Sequence, residues 1–559
     1  MAPSDTAATN DTAPSDGLNL ATCWEAVADA VPSALALRHG EMDRTWAEFE
    51  ARSALLAGHL DAAGLRPDAK VAFYLFNGPE YVEGMFAAFK QRCVPVNVNY
   101  RYLTNELLYL LQNSDAEAVL FSAELADRLD AVRVEAPLVR TFVCVGATDE
   151  HPVPEWAVDY ESALAAAAPA PRIERSADDL WFLYTGGTTG MPKGVMWPHR
   201  SLLGTAAATF AIVKLPLPTT PDDAADAART FHELGKAVRM LPAAPLMHGT
   251  SAITAVAVLS HGGCITTLTG RSFDADELCA TVERNRITQL TIVGDAFAKP
   301  MVAALQNADA EGRPYDLSSL KVIASSGVMW SQQAKDQVLG YCSATLADLL
   351  GSSEGVGFGA SVSKKGATEQ TARFRLGEHA KVFTEEGVEV EPGSGTTGVL
   401  AVGGPIPVGY YQDPEKTACT FRTFAGRVWS VPGDFATVEA DGTIRLLGRG
   451  SVCINTAGEK VYPEEVEETL KLHDAVVDSN VVGLPDEKWG QAITALVSLA
   501  DGSTGSADLE AELVAHCKDQ LAGYKCPKRV LFVPQILRGP NGKADYKWAN
   551  ATAVDLVGE

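Results

Sequence analysis

The chain reads Tyr184-Thr-Gly-Gly-Thr-Thr-Gly-Met-Pro-Lys-Gly194 directly after the apolar, strand-like segment Leu180-Trp-Phe-Leu-Tyr184. A loop with this composition can surround a polyphosphate. Glycine lets backbone N–H groups approach the oxygens, threonine adds hydroxyl donors and Lys193 adds positive charge. Pro192 stands where the Walker A pattern needs a glycine before its lysine, so that pattern is not matched. An ordinary surface loop is the alternative interpretation of these residues.

Short apolar segments alternate with helical stretches from about residue 20 to 440. The strand candidates are short and mostly apolar, and they lie at 71–76, 94–98, 118–121, 141–145, 264–268, 289–293 and 321–324. This βαβ alternation predicts mostly parallel sheets covered by helices. Two segments rich in Ala, Pro, Asp and Thr, at 148–178 and 215–235, are predicted to be surface loops.

The pattern changes after Gly433-Asp434. A flexible junction, Gly448-Arg-Gly-Ser451, precedes a compact α+β pattern. Its predicted elements are a helix at 463–472, strands near 476–483 and 493–499, and a helix near 508–521.

We therefore predict an α/β protein of two domains behind a disordered tail at 1–17. The large N-terminal domain, 18–448, holds mostly parallel βαβ sheets packed with helices. The small, mobile C-terminal domain, 449–559, is α+β. A chain of 559 residues is longer than one core usually supports, which agrees with this division.

The composition excludes several classes of protein. Hydrophobic residues make up 47% of the chain and charged residues 21%, as in globular proteins. A net charge of −25 argues against a surface for nucleic acid or anionic membranes, and it means that an anionic substrate needs local basic residues. The ten cysteines include no C-x-x-C pair and fit buried thiols in a reducing cytosol.

Residues 1–17 have neither the basic start nor the apolar centre of a signal peptide. The longest apolar run, at 252–259, is too short to span a bilayer. We expect a soluble protein of the cytoplasm.

Further motifs follow the glycine-rich loop in a fixed order. They are Pro245-Leu-Met-His-Gly249, Gly351-Ser-Ser-Glu-Gly355, Gly433-Asp434 with Arg449, and Pro540-Asn-Gly-Lys-Ala-Asp545. Together they resemble the acyl-adenylate-forming superfamily, which includes acyl-CoA synthetases, peptide-synthetase adenylation domains and luciferases. The resemblance extends from about Asp179 to Lys543. It is nearest to actinobacterial acyl-CoA ligases that act on bulky fatty or sterol side-chain acids.

The resemblance implies a nucleotide site. The residues implied in binding ATP or AMP are Thr185, Gly186, Gly187, Thr188, Thr189, Gly190, Lys193, Gly351, Ser352, Ser353, Asp434 and Arg449. Glu354 is implied as the Mg²⁺ residue, because this hard ion prefers carboxylate, water and phosphate oxygens. Asp434 would accept hydrogen bonds from the ribose hydroxyls, since a carboxylate offers several acceptor sites.

The resemblance also makes Lys543 a catalytic residue. A carboxylate and the α-phosphate must come together in the adenylation step, and a lysine between them offsets their repulsion. Ser451 is implied as the hinge about which the small domain rotates. Gly458 and Lys525 are implied in binding CoA.

His248, implied as a catalytic residue, would border the substrate carboxylate in the acyl pocket. The other residues implied there are Gly249, Gly294, Asp295 and Gly327. Asp295 either binds a polar group or caps a turn. Amino-acid-activating relatives usually carry an aspartate in the Pro245–Gly249 segment, and this chain has none, which argues against an amino acid. His199 is predicted to be a packing or capping residue.

The cosubstrates implied are ATP with Mg²⁺, CoA and a small carboxylic acid. The given sequence ends sixteen residues after Lys543, so we expect no fused carrier domain and therefore free CoA as the acceptor. A homodimer is expected from the frequency of two-fold assemblies.

Three alternatives stay open at this point. Leu350, Ser451 and Ala457 depart from the superfamily pattern and permit an enzyme that performs only the thioester step on a preformed adenylate. A luciferase-like oxidoreductase would share the adenylation step. A nucleotide-binding regulator would lack turnover altogether.

Overall fold

The computed structural model describes residues 17–185, 191–327, 330–366, 373–449, 454–456, 459–486, 490–500, 502–521, 523–538 and 544–558, without the side chains of 449, 455, 459, 460 and 490. These residues divide into two compact units. The first comprises 17–185, 191–291 and 410–413, and the second comprises the remaining described residues from 292 onward.

The first unit alternates strands with helices. Its strands are β1 Leu35–His39, β2 Met42–Thr45, β3 Lys70–Tyr74, β4 Val94–Asn97, β5 Ala116–Ser122, β6 Thr141–Val145, β7 Val158–Asp159, β8 Leu180–Thr185, β9 Lys193–Pro198, β10 Arg239–Pro242, β11 Cys264–Thr267 and β12 Gln289–Ile292. Its helices are α1 Leu20–Ala30, α2 Trp46–Ala62, α3 Pro79–Lys90, α4 Thr104–Asn113, α5 Ala126–Arg133, α6 Tyr160–Ala166, α7 His199–Gly204, α8 Ala207–Ile212, α9 Pro221–Glu233, α10 Gly249–Leu259 and α11 Ala275–Asn285.

Two sheets organise this unit. One has the strand order β19-β9-β8-β4-β3-β5-β6-β7, in which β19 is the two-residue strand Gly409–Tyr410. It is parallel from β8 to β7, and β9 is antiparallel to β8. In the other, β1, β11, β10 and β12 are parallel neighbours and β2 is antiparallel at the edge. Tyr74, Val96, Phe121 and Phe182 lie in the core on one face of the first sheet. Their chain neighbours Phe73, Leu120 and Leu183 point to the opposite face and are also buried, so the strands are apolar on both faces, as expected for a covered parallel sheet.

The prediction of a loop at 215–235 is wrong, because most of this segment forms α9. Thr220 and Asp223 form a reciprocal capping box at its start. The buried residues Ala224, Ala227, Ala228 and Phe231 recur at helical spacing, a signal that the Ala- and Asp-rich composition obscured. The loop predicted at 148–178 likewise contains β7 and α6, which Asp159 caps through Ser162.

The second unit begins with a helix and a parallel strand pair and then becomes antiparallel. Its strands are β13 Val322–Ser326, β14 Thr345–Ser352, β15 Gly355–Ser363, β16 Arg373–Leu376, β17 Ala380–Phe383, β18 Thr397–Val402, β20 Phe421–Phe424, β21 Arg427–Ser430, β22 Asp434–Val438, β23 Thr443–Arg449, β24 Ile454–Thr456, β25 Glu459–Val461, β26 Val476–Asp486, β27 Gly490–Leu499 and β28 Arg529–Phe532. Its helices are α12 Asp295–Ala310, α13 Gln332–Tyr341, α14 Pro414–Thr420, α15 Pro463–Lys471, α16 Ala507–Gln520 and α17 Tyr546–Gly558.

The antiparallel strands from β14 to β23 were not anticipated by the βαβ interpretation. Several are joined by tight hairpins, such as Ser352 to Gly355, rather than by crossover helices. The last part of the unit has its own sheet, β25-β24-β27-β26 with β28 parallel to β27, which matches the α+β pattern predicted there. The α/β fold class is confirmed. No helix in the described part of the chain has the length and apolar composition that a bilayer crossing requires.

A buried carboxyl lies inside this C-terminal sheet-and-helix layer. Glu467 of α15 is 4% exposed, and its Oε1 accepts a hydrogen bond of 2.8 Å from the Val481 amide. Burial, and then the charge of Glu464, raise the pKa of Glu467 to about 8. The group therefore stays protonated in the folded chain at neutral pH.

Replacing Glu467 by Gln should stabilise the protein selectively at alkaline pH. The pKa of Glu467 is about 8 when folded, against an ordinary value of 4.5, so its contribution to stability is complete below about pH 4.5 and is lost as the pH rises toward 8. Gln retains the acceptor for Val481 and cannot ionise. The melting temperature of Glu467→Gln, measured by calorimetry, should exceed that of wild type by about 2–4 °C at pH 8.5 and should lose this advantage at pH 5. Glu512→Gln, at an exposed glutamate in the same region, is the control, and a pH-independent difference would contradict the prediction.

Candidate active site

The glycine-rich stretch connects two paired strands. β8 and β9 are antiparallel, with Thr185 opposite Lys193 and Tyr184 opposite Gly194. A Cβ atom on Gly194 would lie 2.6 Å from the Tyr184 ring, so only glycine fits at that position. The hairpin therefore places Thr185 and Lys193, two residues predicted to bind ATP, on either side of the loop.

A buried amide fixes the end of β8 that leads into this loop. The Asn97 side chain, 2% exposed, accepts a hydrogen bond of 2.6 Å from the Tyr184 amide and donates one of 3.0 Å to the Tyr184 carbonyl. Its Nδ2 also donates to the Met247 carbonyl at 2.6 Å. Asn97 thus joins the strand before the glycine-rich loop to the residue before His248.

The segment that precedes α10 is held from a second side. Asn77 Oδ1 accepts from the Leu246 amide at 2.7 Å, and Ser251 Oγ donates to the Ala244 carbonyl at 2.8 Å. His248 then caps α10 from an extended conformation. A Cβ on Gly249 would lie 2.9 Å from Leu183 of β8, so the small residue permits this close packing.

In the second unit, a hairpin carries the predicted metal residue. β14 and β15 pair as far as Ser352 and Gly355, and Glu354 lies at the turn between them. The Glu354 amide donates to Ser352 Oγ at 3.2 Å, and Ser430 Oγ donates to the Glu354 carbonyl at 2.6 Å. The backbone of the Gly351–Ser353 motif and of Glu354 is therefore held at a defined position.

The predicted ribose residue lies directly opposite a predicted nucleotide residue. Asp434 begins β22, and it pairs with Arg449 in the antiparallel register with β23. Gly433 precedes it with a φ of 102°, a left-handed conformation that favours glycine. The register therefore brings the backbones of these two positions together.

The predicted acyl-pocket residues of this unit lie at one end of β13. Gly294, with a φ of 52°, donates its amide to Ser325 Oγ at 2.9 Å, and Gly327 has a φ of 92°. Asp295 Oδ1 accepts from the amide and the hydroxyl of Ser331, and its other oxygen lies 3.3 Å from Lys299 Nζ. The side chain of Asp295 therefore binds Ser331 and Lys299, and its role toward a substrate stays a prediction.

The first turn of α15 lies beside the junction. Gly448 has a φ of 118°, and a Cβ there would lie 2.2 Å from Glu464 Oε2, so this residue has to be glycine. Lys525 binds both carboxylate oxygens of Glu465 at 2.7 and 2.8 Å. Its role toward CoA stays a prediction.

Several predicted site residues lie outside the described residues or lack a described side chain. Those outside are Gly186, Gly187, Thr188, Thr189, Gly190, Ser451, Gly458 and Lys543. The backbone of Arg449 is described and its side chain is not. Their roles stay predictions, as do those of the described site residues.

His199 has the structural role that was predicted. It is fully buried, and its Nδ1 accepts from the Leu20 amide at 3.3 Å. Burial, and then the charge of Arg175, lower the pKa of His199 to about 3, so the ring is neutral.

Sequence reasoning missed Asn97, Asn77 and Asp413. Asn97 and Asn77 are single polar residues at the ends of apolar strand segments, a position where a buried side chain must bind backbone groups. Asp413 forms an ion pair with Lys193. Their sequence separations from their partners, from 87 to 220 residues, left no local signal.

The family assignment follows from two matches. The model of the family described as AMP-binding enzyme matches residues 24–411, and that of the AMP-binding enzyme C-terminal domain matches 465–543. The chain belongs to the AMP-binding enzyme family. Curated AMP-binding relatives of nearly equal length are acyl-CoA ligases. The 3-oxocholest-4-en-26-oate–CoA ligase of Rhodococcus rhodochrous is 41% identical over 95% of each chain. The medium/long-chain-fatty-acid–CoA/3-oxocholest-4-en-26-oate–CoA ligase of Mycobacterium tuberculosis has the same identity and coverage.

Solved AMP-binding structures have the same fold. An anthranilate CoA ligase in complex with anthranoyl-AMP gives a TM-score of 0.80 at 20% identity and covers 97% of this chain and 98% of its own. The ATP-bound MatB from Rhodopseudomonas palustris gives 0.76 at 23% identity, with 96% and 100% covered. The resemblance and the enzyme class predicted from the motifs are confirmed: the protein is an acid–thiol ligase of the AMP-forming acyl-CoA synthetase type.

Replacing Asn97 by Ala should weaken the use of two substrates at once. The change leaves the Tyr184 and Met247 carbonyls without their side-chain donor, at a cost of about 1–3 kcal/mol in unfolding free energy for each unsatisfied group. We expect the KM values for the acid and for ATP each to rise about tenfold in steady-state assays.

Asn77→Ala is the matched control. Asn77 binds the segment before His248 and has no hydrogen bond to β8 among the described residues, so its loss should raise the KM for the acid alone. An Asn97 variant with only one altered KM would contradict the coupling of the two segments.

Proposed function

We propose that the enzyme activates a bulky hydrophobic carboxylic acid as an acyl-adenylate and transfers the acyl group to CoA. The observation that carries this proposal is the 41% identity, over nearly the whole chain, to ligases named for a sterol side-chain acid and for medium- and long-chain fatty acids. The segment Pro245–Gly249 supports the proposal, because it contains no carboxylate that would pair with the amino group of an amino acid.

The chemistry has two steps. In the first, an oxygen of the substrate carboxylate attacks the α-phosphorus of ATP, the bond to the bridging oxygen breaks, and pyrophosphate leaves. In the second, the CoA thiolate attacks the acyl carbonyl carbon and AMP leaves with the electron pair of the C–O bond. The first step replaces the poor leaving group of a carboxylate by AMP, a good one, and the second step uses that leaving group, which is the advantage of covalent activation.

The side chains divide these tasks by charge. Lys193 binds the phosphates that become pyrophosphate, and Asp434 accepts hydrogen bonds from the ribose hydroxyls. Lys543 lies between the carboxylate and the α-phosphate in the first step and reduces their repulsion. His248 borders the carboxylate and orients it. The hinge at Ser451, with the domain boundary at 448–449, exchanges the faces that serve the two steps.

The donor set around Glu354 fits Mg²⁺. A carboxylate on a backbone fixed by Ser352 and Ser430 suits a hard cation that keeps several water and phosphate ligands. Glu354 is the residue that would hold the ion. When bound, the ion supplies charge neutralisation of the triphosphate.

One measurement distinguishes the proposed enzyme from the alternative enzyme, which would act only on a preformed adenylate. With acid and ATP but no CoA, the proposed enzyme releases pyrophosphate, and the thioester-only enzyme does not. Leu350, one of the departures that permits the alternative, packs against the core of Phe358 and Phe374 and does not favour either enzyme.

A cytoplasmic location and a homodimer remain part of the proposal.

Replacing Lys543 by Ala should separate the two steps. Acyl-AMP formation, measured as pyrophosphate release, should fall at least a thousandfold, because the repulsion between carboxylate and α-phosphate is no longer offset. Thioester formation from supplied acyl-AMP and CoA should stay within about twofold of wild type. Unchanged pyrophosphate release would refute the role of Lys543.

The substrate class can be tested with a panel of acids. Sterol side-chain acids, terpenoid acids and fatty acids of increasing length are incubated with ATP and CoA, and thioesters are identified by mass. We expect kcat/KM for bulky apolar acids to exceed that for acetate or benzoate by more than about a hundredfold, because apolar burial contributes about 0.8 kcal/mol for each methylene. Equal values for benzoate and for a sterol acid would contradict the proposed class.

A further inference from the structure

The ammonium group of Lys193 has a charged partner within the protein. It pairs with the carboxylate of Asp413, a residue 220 positions further along the chain. The lysine side chain is 42% exposed and that of Asp413 is 27% exposed. An anion at this position is unexpected in a protein of net charge −25 whose glycine-rich loop would receive another anion.

The segment that carries Asp413 is hydrogen-bonded to the strand that carries Lys193. The Tyr411 amide donates to the Gly194 carbonyl at 2.8 Å, which continues the hydrogen bonding of β9. The Tyr411 ring lies 4.7 Å from that of Phe182 in β8, with the ammonium of Lys70 at 5.4 Å from the Tyr411 ring centroid.

A second anchor lies on the other side of the segment. Asp115 Oδ2 accepts from Tyr411 Oη at 2.7 Å and from Gln412 Nε2 at 2.8 Å. Gln412 has a φ of 54°, a left-handed conformation that turns the chain just before Asp413. Burial, and then the bond to Asp115, raise the pKa of Tyr411, so its hydroxyl remains a donor at neutral pH.

A positional role explains this arrangement better than a stabilising one. A half-exposed ion pair contributes little to the stability of the fold. Lysine, however, has a flexible four-carbon chain with many rotamers, and an ammonium has three N–H donors. One donor can remain on Asp413 while the other two face phosphate oxygens.

We propose that Asp413 is a positioning residue for the adenylation step: it orients the Lys193 ammonium toward the triphosphate of ATP. This inference rests on the proposed function, in which Lys193 binds the phosphates that leave. Asp413 reduces the number of lysine rotamers before ATP arrives, so ATP binding loses less entropy. AMP lacks those phosphates, and the thioester step takes place without them.

The test uses the full chain and α,β-methylene-ATP, which is not cleaved between the α- and β-phosphates, in a magnesium buffer. Calorimetry should show Asp413→Ala binding this nucleotide about three- to fivefold more weakly than wild type, with AMP affinity unchanged. Asp413→Asn retains an acceptor and should recover part of the loss. In assays, the KM for ATP should rise while thioester formation from supplied acyl-AMP stays the same.

A double-mutant cycle with Lys193→Ala tests whether Asp413 affects nucleotide affinity through Lys193. Without the lysine, the Asp413 carboxylate only repels the nucleotide, so removing it should leave the affinity unchanged or increase it. Asp43→Ala, which breaks an ion pair of comparable exposure with Arg38, is the control and should have no effect.

Five outcomes would overturn the proposal. Tighter binding by Asp413→Ala would mean that the carboxylate competes for Lys193. Equal losses in both lysine backgrounds, or a parallel loss of AMP affinity, would indicate a structural effect. The same loss in Asp43→Ala would indicate a general effect of charge. A Lys193→Ala variant with unchanged nucleotide affinity would remove the assigned role of Lys193 itself and so would identify a failure of the proposed function.

Discussion

The side-chain amide of Asn97 makes three hydrogen bonds at a position that water does not reach. Two of them continue the backbone hydrogen bonding at Tyr184, and the third holds the Met247 carbonyl. An unsatisfied buried polar group costs about 1–3 kcal/mol, so these backbone groups have a strong preference for this one arrangement. The strand before the glycine-rich loop and the turn before His248 consequently share a single anchor.

Close backbone approach imposes a second constraint around the same strands. At Gly194 the ring of Tyr184 occupies the space that any side chain would need, and at Gly249 a side chain of β8 does so. Gly448 meets the same limit at Glu464 in the second unit. These glycines serve packing, whereas Gly433 serves backbone conformation through its positive φ. The glycines of these motifs therefore allow chain segments to pack closely, in addition to any role in binding substrates.

The parts that were predictable from the sequence are those with a local signal. The apolar segment 94–98 could be identified as a strand because its neighbours in sequence define it, and the glycine-rich loop was located because its composition is unusual. The helix at Pro221–Glu233 was missed because its buried face consists largely of alanine, which composition alone does not distinguish from a loop. The antiparallel strands after Thr345 were missed because their pairing depends on hairpin turns and not on the alternation with helices that dominates earlier.

Side-chain pairs across long separations had no such signal. Nothing near Asp413 in sequence indicates that its partner is Lys193, and an Asp-Pro dipeptide is by itself typical of a turn. The pairing becomes meaningful only when the hydrogen bonds of Tyr411 and Gln412 are seen to fix the segment against the hairpin.

An enzyme with a large negative net charge that uses anionic substrates must keep its cations available where they act. A lysine paired with a fixed carboxylate satisfies this requirement, because its position is set by short-range contacts that salt and distant charges screen little. The same reasoning applies to the Asp434–Arg449 register, where a backbone ladder and not a flexible side chain determines which charged positions are neighbours. At Asp413 the backbone hydrogen bond of Tyr411 and the side-chain hydrogen bonds of Tyr411 and Gln412 set the position of the charge, and the long-range field of the protein is secondary.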